Sequence, residues 1–144
     1  MARAVQVKGE TPRLEDYLEA IYHLEHDKGY ASTLDISDTL KVKPPTVTIT
    51  VQKLASKGYL IYEPYRGMTL TPKGEKIALS VISRHNIISE FLSLIGVEKK
   101  AAYEDTEGIE HHIHPITIHK IEKLSDFLRK NPDYLGAIRK YLDD

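Results

Sequence analysis

The chain has 144 residues, 28% of them charged and 41% hydrophobic, with a formal net charge of −1 and no cysteine. That length buries one real core or two small ones, and the composition carries no signature of disorder. Disulfides, thiolate metal sites and thiol nucleophiles are excluded, and without an apolar run suited to a signal peptide or a membrane span, a cytoplasmic protein with no membrane partner is expected.

The first ten residues read as a frayed arm. "PRLEDYLEAIYHLEHDKG" then starts a helix at Pro12 and stops it at Gly29. Leu14, Tyr17, Leu18, Ile21 and Leu24 follow the spacing of one helical face. Ser32 or Thr33 caps a short helix with Leu34, Ile36 and Leu40 as its apolar residues, and "KVKP" breaks it. Pro45 suits the first turn of a helix over Thr46 to Lys57, where Val47, Val51 and Leu54 form the buried stripe. Gly58 is placed to end that helix in the left-handed conformation. "YLIYE" and "GMTLT" read as two strands around the tight hairpin "PYRG".

Helix, turn, helix and a two-stranded wing make a winged helix-turn-helix pattern. Its second helix exposes Thr46, Thr48, Thr50 and Lys53, side chains of a size and polarity that suit a major groove. Lys43 and Pro45 flank the start of that helix, and Tyr65 and Arg66 stand at the wing tip. Charge points the same way. Between residues 41 and 74 there are six basic side chains (Lys41, Lys43, Lys53, Lys57, Arg66, Lys73) against one acid, Glu63, whereas residues 75–144 carry ten basic and twelve acidic groups. A basic segment in a balanced chain suits contact with a polyanion, here double-stranded DNA; a solvated surface is the plainer reading of charge alone.

The remainder is helical. A long helix is expected from Lys76 to Ile95, another from about Lys100 to Ile113 ended by Pro115, and then one further helix and a short terminal one. The expected fold is therefore mainly α with a small β-wing. A winged helix-turn-helix domain spans residues 1–74, and an all-helical domain spans 75–144. Several apolar faces on about 70 residues favour pairing with a second copy, as a homodimer reading two half-sites.

"EGIEHHIH", residues 107–114, sets two glutamates and three histidines beside this apolar pattern. At about 100° per residue, Glu107, Glu110 and His111 share an arc of about 100°. Two carboxylates on one face repel, and a divalent cation removes the repulsion; a solvated helix face is the alternative. Gly108 costs the helix roughly 0.5–1 kcal/mol relative to alanine. Close approach of another backbone would justify that cost, and a tolerated defect or a kink would not need it. Asp16 and Glu19 stand three apart on the first helix, off its apolar stripe, where a solvated edge is the plainer reading. His85, between Ile82 and Ile88, reads by itself as a core histidine. His114 sits at a helix end as a cap, and His23, His26 and His119 read as surface residues.

With these stretches in place, the chain resembles the diphtheria-toxin-repressor family of metal-dependent transcriptional regulators, and most of all its manganese-transport-regulator branch. The residues that carry the resemblance are "LEDYLEAIYHL", "PPTVTITVQKLASKGYLIYEPYRGMTLTPKG", "RHNIISEFL" and "EGIEHH", which span about residues 13 to 112. The resemblance implies a homodimer in which metal bound at the junction of a winged helix domain and a helical dimerisation domain enables DNA binding and represses metal-uptake genes. Carried over position by position, it implies Asp16, Glu19, His85, Glu107, Glu110 and His111 as ligands, with Glu107 and Glu110 bridging two ions and the Glu107 carbonyl as a further donor. Four carboxylates match the charge of two divalent ions, which agrees with two per chain.

The iron-responsive branch places a methionine and a cysteine where this chain has Asp16 and Glu107. An oxygen-rich set with some imidazole favours Mn²⁺, with Fe²⁺ second. The chain ends at residue 144, which leaves no length for the SH3-like third domain of the iron branch and is expected to favour the shorter manganese type. Ile49 stands where relatives often carry a polar residue, and an apolar contact to a thymine methyl is available to it. No enzyme is expected. Di-iron carboxylate bundles need paired Glu-x-x-His motifs and zinc proteases need His-Glu-x-x-His, and the chain has neither. A winged-helix regulator answering to an organic ligand and a pure interaction module are the other readings; no small-molecule substrate is expected.

Overall fold

In the computed structural model, residues 12–63 and 65–143 are described. The expected N-terminal arm and Pro64 of the hairpin lie outside them. The elements run α1 (Leu14–Lys28), α2 (Thr33–Leu40), α3 (Pro44–Ser56), β1 (Leu60–Glu63), β2 (Gly67–Leu70), α4 (Pro72–Leu94), α5 (Lys99–Ile109), α6 (Pro115–Lys130) and α7 (Pro132–Leu142). Mainly helical with one small wing, this is the expected fold class. The chain divides between Ile82 and Ser83 into two compact units.

In the first unit the apolar stripes converge. Tyr17, Leu18 and Ile21 from α1 pack with Ile36 and Leu40 from α2 and with Val47, Val51 and Leu54 from α3. Leu60 and Met68 close this core from the wing. Leu34 stays outside it at 66% exposure. β1 and β2 pair antiparallel from Leu60 opposite Leu70 to Glu63 opposite Gly67, and Tyr65 and Arg66 lie between the two strands. An isolated bridge pairs Ala31 with Met68 of β2: each N–H donates to the other's carbonyl, at 2.9 and 2.8 Å. Gly67 permits it, because a Cβ there would lie 2.5 Å from the Ala31 carbonyl oxygen.

Four helix ends differ from the sequence expectation by two residues or more. α1 begins at Leu14, two residues after the expected Pro12, with Arg13 as its N-cap. α3 begins at Pro44, two residues before the expected Thr46, because proline at the first helical position gives up no hydrogen bond. α4 begins at Pro72, four residues before Lys76, because Thr71 caps it: the Gly74 N–H donates to Thr71 Oγ1 at 3.2 Å. Gly74 also lets the helix pass the wing, since a Cβ would stand 1.9 Å from the Tyr59 carbonyl oxygen. α5 stops at Ile109, four residues before Ile113, because the His112 N–H closes a three-residue bond to the Ile109 carbonyl at 2.9 Å.

In the second unit, Leu128 on α6, Ala102 on α5 and Ile88 on α4 are buried. Arg129 on α6 pairs with Glu90 on α4. His114 caps α6 as expected, with the Ile116 N–H donating to Nδ1 at 3.1 Å. Leu124, Phe127, Tyr134, Ile138 and Tyr141 remain between 38% and 81% exposed. Among the described residues no helix is long and apolar enough to cross a membrane.

Candidate metal centre and nucleic-acid interface

In the second unit, α4 and α5 bring together residues that stand 25 positions apart. His85 Nδ1 lies 2.7 Å from Glu110 Oε2 and 3.3 Å from Glu107 Oε1. One potential ligand atom from each of the three falls within 4.8 Å of the others. Glu110 is fully buried, and Glu107 and His85 are each only 7% exposed. Two carboxylates converging on one imidazole, with almost no water around them, are expensive without a compensating charge. Oxygen and nitrogen donors at this spacing are a donor set for a divalent cation. His111 joins the group, its Nε2 lying 3.5 Å from Glu110 Oε1 and its side chain 2% exposed. Glu110 follows the last residue of α5 and keeps right-handed helical angles, so it continues the face on which Glu107 lies. His85 is thus not a solitary core histidine. The close approach weighed for Gly108 is absent: an added Cβ there meets nothing within 4 Å among the described residues. The residue is open on that side.

In the first unit, Asp16 and Glu19 occupy the first two turns of α1. Asp16 Oδ2 accepts the Arg13 N–H at 2.7 Å, which ties this carboxylate to the helix start. Glu19 is not the solvated edge that the sequence suggests. It is 3% exposed, and its Oε1 is buried with no hydrogen-bond partner among the described residues. A buried carboxylate oxygen without a donor is costly, and a water or a cation relieves it. His23, read from the sequence as a surface residue, is only 19% exposed in its side chain, and its Nε2 lies 3.9 Å from Glu19 Oε2.

The winged unit leaves most of the side chains expected to meet DNA accessible. Lys43, Pro45, Thr46, Thr48, Ile49 and Lys53 are exposed along α3, and Thr50 is half-buried. Thr48 and Thr50 donate their hydroxyl protons to the carbonyls of Pro44 and Thr46, at 3.1 and 3.0 Å. Their hydroxyl protons are thereby taken up by the helix backbone. Ile49, 68% exposed, is a large apolar side chain left open to solvent between them. At the wing tip Tyr65 is fully exposed and held at φ 69°, a conformation rare outside glycine, and Arg66 rests 3.5 Å from Glu63. Sequence reasoning missed the flank of α3, where a groove of about 220 Å³ is lined by Thr33, Thr48, Val51, Gln52, Ala55 and Tyr62. Gln52 was detectable one turn beyond Thr48; Tyr62 and Thr33 come from other elements and were not.

Comparison with known proteins agrees. Residues 11–68 match the family described as iron dependent repressor, N-terminal DNA binding domain, and residues 71–135 match iron dependent repressor, metal binding and dimerisation domain. An HTH-type transcriptional regulator MntR of Lysinibacillus sphaericus is 49% identical over 128 residues, 89% of this chain and 92% of that protein. The protein of the same description from Listeria welshimeri is 47% identical over 129 residues, 90% and 91% of the two chains. Among solved structures, the manganese regulator SloR superposes with a TM-score of 0.72 at 28% identity. That match covers 82% of this chain and only 55% of the other, so the chain spans about half the length of this solved relative.

Proposed function

We propose, from the premise that the chain belongs to the iron-dependent repressor family of DNA-binding transcriptional regulators and is not an enzyme, that it is a manganese-responsive repressor of metal-uptake genes. The observation that carries the reading is the buried His85, Glu107 and Glu110 cluster in a chain that also bears a winged helix. The proposed ligands are Asp16 and Glu19 on α1 with His85, Glu107, Glu110 and His111 from the helical domain. Two Mn²⁺ ions per chain balance the four carboxylates, and Fe²⁺ is the second choice. The relatives named MntR and the manganese regulator SloR support the choice of metal.

A bound ion would supply positive charge to these carboxylates. This chain's own residues do the rest. Asp16 and Glu19 belong to the helix that carries the DNA-binding core, and Glu107 to His111 belong to the dimerisation domain. Filling both ligand sets narrows the conformations open to the DNA-binding domains and favours those that fit two half-sites. On DNA, Thr46, Thr48, Ile49 and Thr50 read base edges. Lys43, Lys53 and Arg66 meet phosphates, and Pro45 and Tyr65 fix the approach of helix and wing. The exposed apolar face of α6 and α7, where the Phe127 and Tyr134 rings lie 5.5 Å apart, packs against a second copy. The protein works in the cytoplasm.

The test is DNA capture. Fragmented genomic DNA from the source organism is passed over immobilised protein with Mn²⁺ and eluted with a chelator. Enrichment of a few promoter fragments beside metal-transport genes is expected. Equal retention with and without chelator would refute metal control, and no retention at low salt would refute the operator reading.

A further inference from the structure

α1 presents a third donor beside Asp16 and Glu19. At about 100° per residue, positions 16, 19 and 23 fall within about 60° of one another on the helix, with His23 between the two acids in azimuth. The structure agrees with the arithmetic. His23 Nε2 stands 3.9 Å from Glu19 Oε2, too far for a hydrogen bond. Among the described residues neither His23 Nε2 nor Glu19 Oε1, both buried, has a hydrogen-bond partner, and the Glu19 side chain is only 4% exposed. Burying an imidazole nitrogen and a carboxylate oxygen together, unbonded, costs free energy that water or a partner would remove. The separation is one that two ligand atoms adopt around one cation after small side-chain rotations, given metal–donor distances of about 2.0–2.2 Å.

We infer that His23 is a metal ligand on α1 that makes this helix a tridentate Asp16, Glu19, His23 donor and tilts the site toward nitrogen-preferring ions such as Zn²⁺. The inference rests on the proposed ligand set and adds a residue to it. Nitrogen donors strengthen binding along the series from manganese towards copper and zinc, so an added imidazole raises zinc affinity more than manganese affinity. The expected consequence is a regulator whose metal discrimination is narrower than six oxygen-rich ligands alone would give, and in which zinc competes with manganese for the α1 donors.

The experiment titrates the full chain and its His23→Ala, His23→Gln and Glu110→Gln variants with Mn²⁺ and Zn²⁺ against a chromophoric chelator, and records the visible spectrum of each with Co²⁺. The His23 variants are expected to lose at least about tenfold more in zinc affinity than in manganese affinity, and to shift the Co²⁺ band. Unchanged affinities and an unchanged Co²⁺ spectrum would overturn the inference. So would an equal loss for both ions, which marks a structural role. His23→Gln carries the test if circular dichroism shows His23→Ala unfolded. Glu110→Gln separates the two readings: if it leaves manganese binding intact, the proposed ligand set fails, and if it abolishes binding while the His23 variants behave as wild type, only His23 is lost.

Discussion

Glu110→Gln isolates what charge, as opposed to shape, contributes at the buried cluster. Glu110 is fully buried with Oε2 2.7 Å from His85 Nδ1. Glutamine has the same outline and keeps an oxygen acceptor for the imidazole, so the metal-free protein is expected to fold and to melt within about 1 kcal/mol of wild type. Metal binding responds differently. A residue that merely orients a ligand is worth about 10- to 100-fold in metal affinity, so the loss of an anionic ligand is expected to cost at least about 100-fold. At Mn²⁺ one hundred times the wild-type Kd, wild type gains about 2.7 kcal/mol and the variant about 0.4 kcal/mol. For a chain of this size roughly 3 °C accompanies each kcal/mol. The wild-type melting temperature should rise about 8 °C with manganese and that of the variant about 1 °C. Thermal melts by circular dichroism, with and without Mn²⁺, read both. A variant that keeps the full manganese shift would refute the assignment of Glu110 as a ligand.

Other perturbations test other parts of the reading. Arg66→Ala at the wing tip should weaken DNA binding and lower the slope of log K against log salt by about 0.9, one phosphate contact, with an unchanged slope counting against the wing. Phe127→Glu, at a position 48% exposed on α6, should shift the protein to monomer in sedimentation with its helical content intact; a persistent dimer would place the interface elsewhere. Asp35 lies 2.5 Å from the Lys28 ammonium, whose hydrogen bond holds the carboxyl below its ordinary value of 3.8, against the opposing effect of burial. The pair therefore stabilises the winged unit above about pH 4 and loses that contribution as pH falls through the lower folded value. Urea midpoints of wild type and Asp35→Asn should differ at pH 7 and converge in acid, and a gap that persists in acid would exclude the ion pair as its cause.

Much of the fold was legible because it is written locally. The stripes Tyr17, Leu18, Ile21 and Val47, Val51, Leu54 are each contained in one helix, and burial follows them. Helix ends were less legible because they depend on small competing bonds. Thr71 reads equally as the end of a strand and as a cap, and the structure uses it as a cap, donating its own hydroxyl proton to the Gly58 carbonyl at 2.6 Å. The early end of α5 depends on the turn that the His112 N–H makes, while the pattern of side chains runs on through His111.

The donors divide along the same line. Glu107, Glu110 and His111 share a face that arithmetic on the sequence finds. His85 is 25 residues away from Glu110, and no local period connects them; only the folded chain, which sets His85 Nδ1 2.7 Å from Glu110 and 3.3 Å from Glu107, turns an apparent core histidine into a partner for two carboxylates. His23 was within reach of the same arithmetic that grouped the other three, but a histidine on a polar edge gives no signal until its burial is known. Burial also explains why a small protein keeps such costly groups. Burying carboxylates costs solvation, and an ion that they bind can offset part of that cost, which is free energy available for coupling to DNA. Coupling of this kind is reciprocal: if manganese raises operator affinity by some factor, operator DNA must raise manganese affinity by the same factor. An ion that relieves the carboxylates without also favouring the DNA-fitting conformations would bind tightly and regulate nothing, so a metal's affinity and its power to activate need not rank alike.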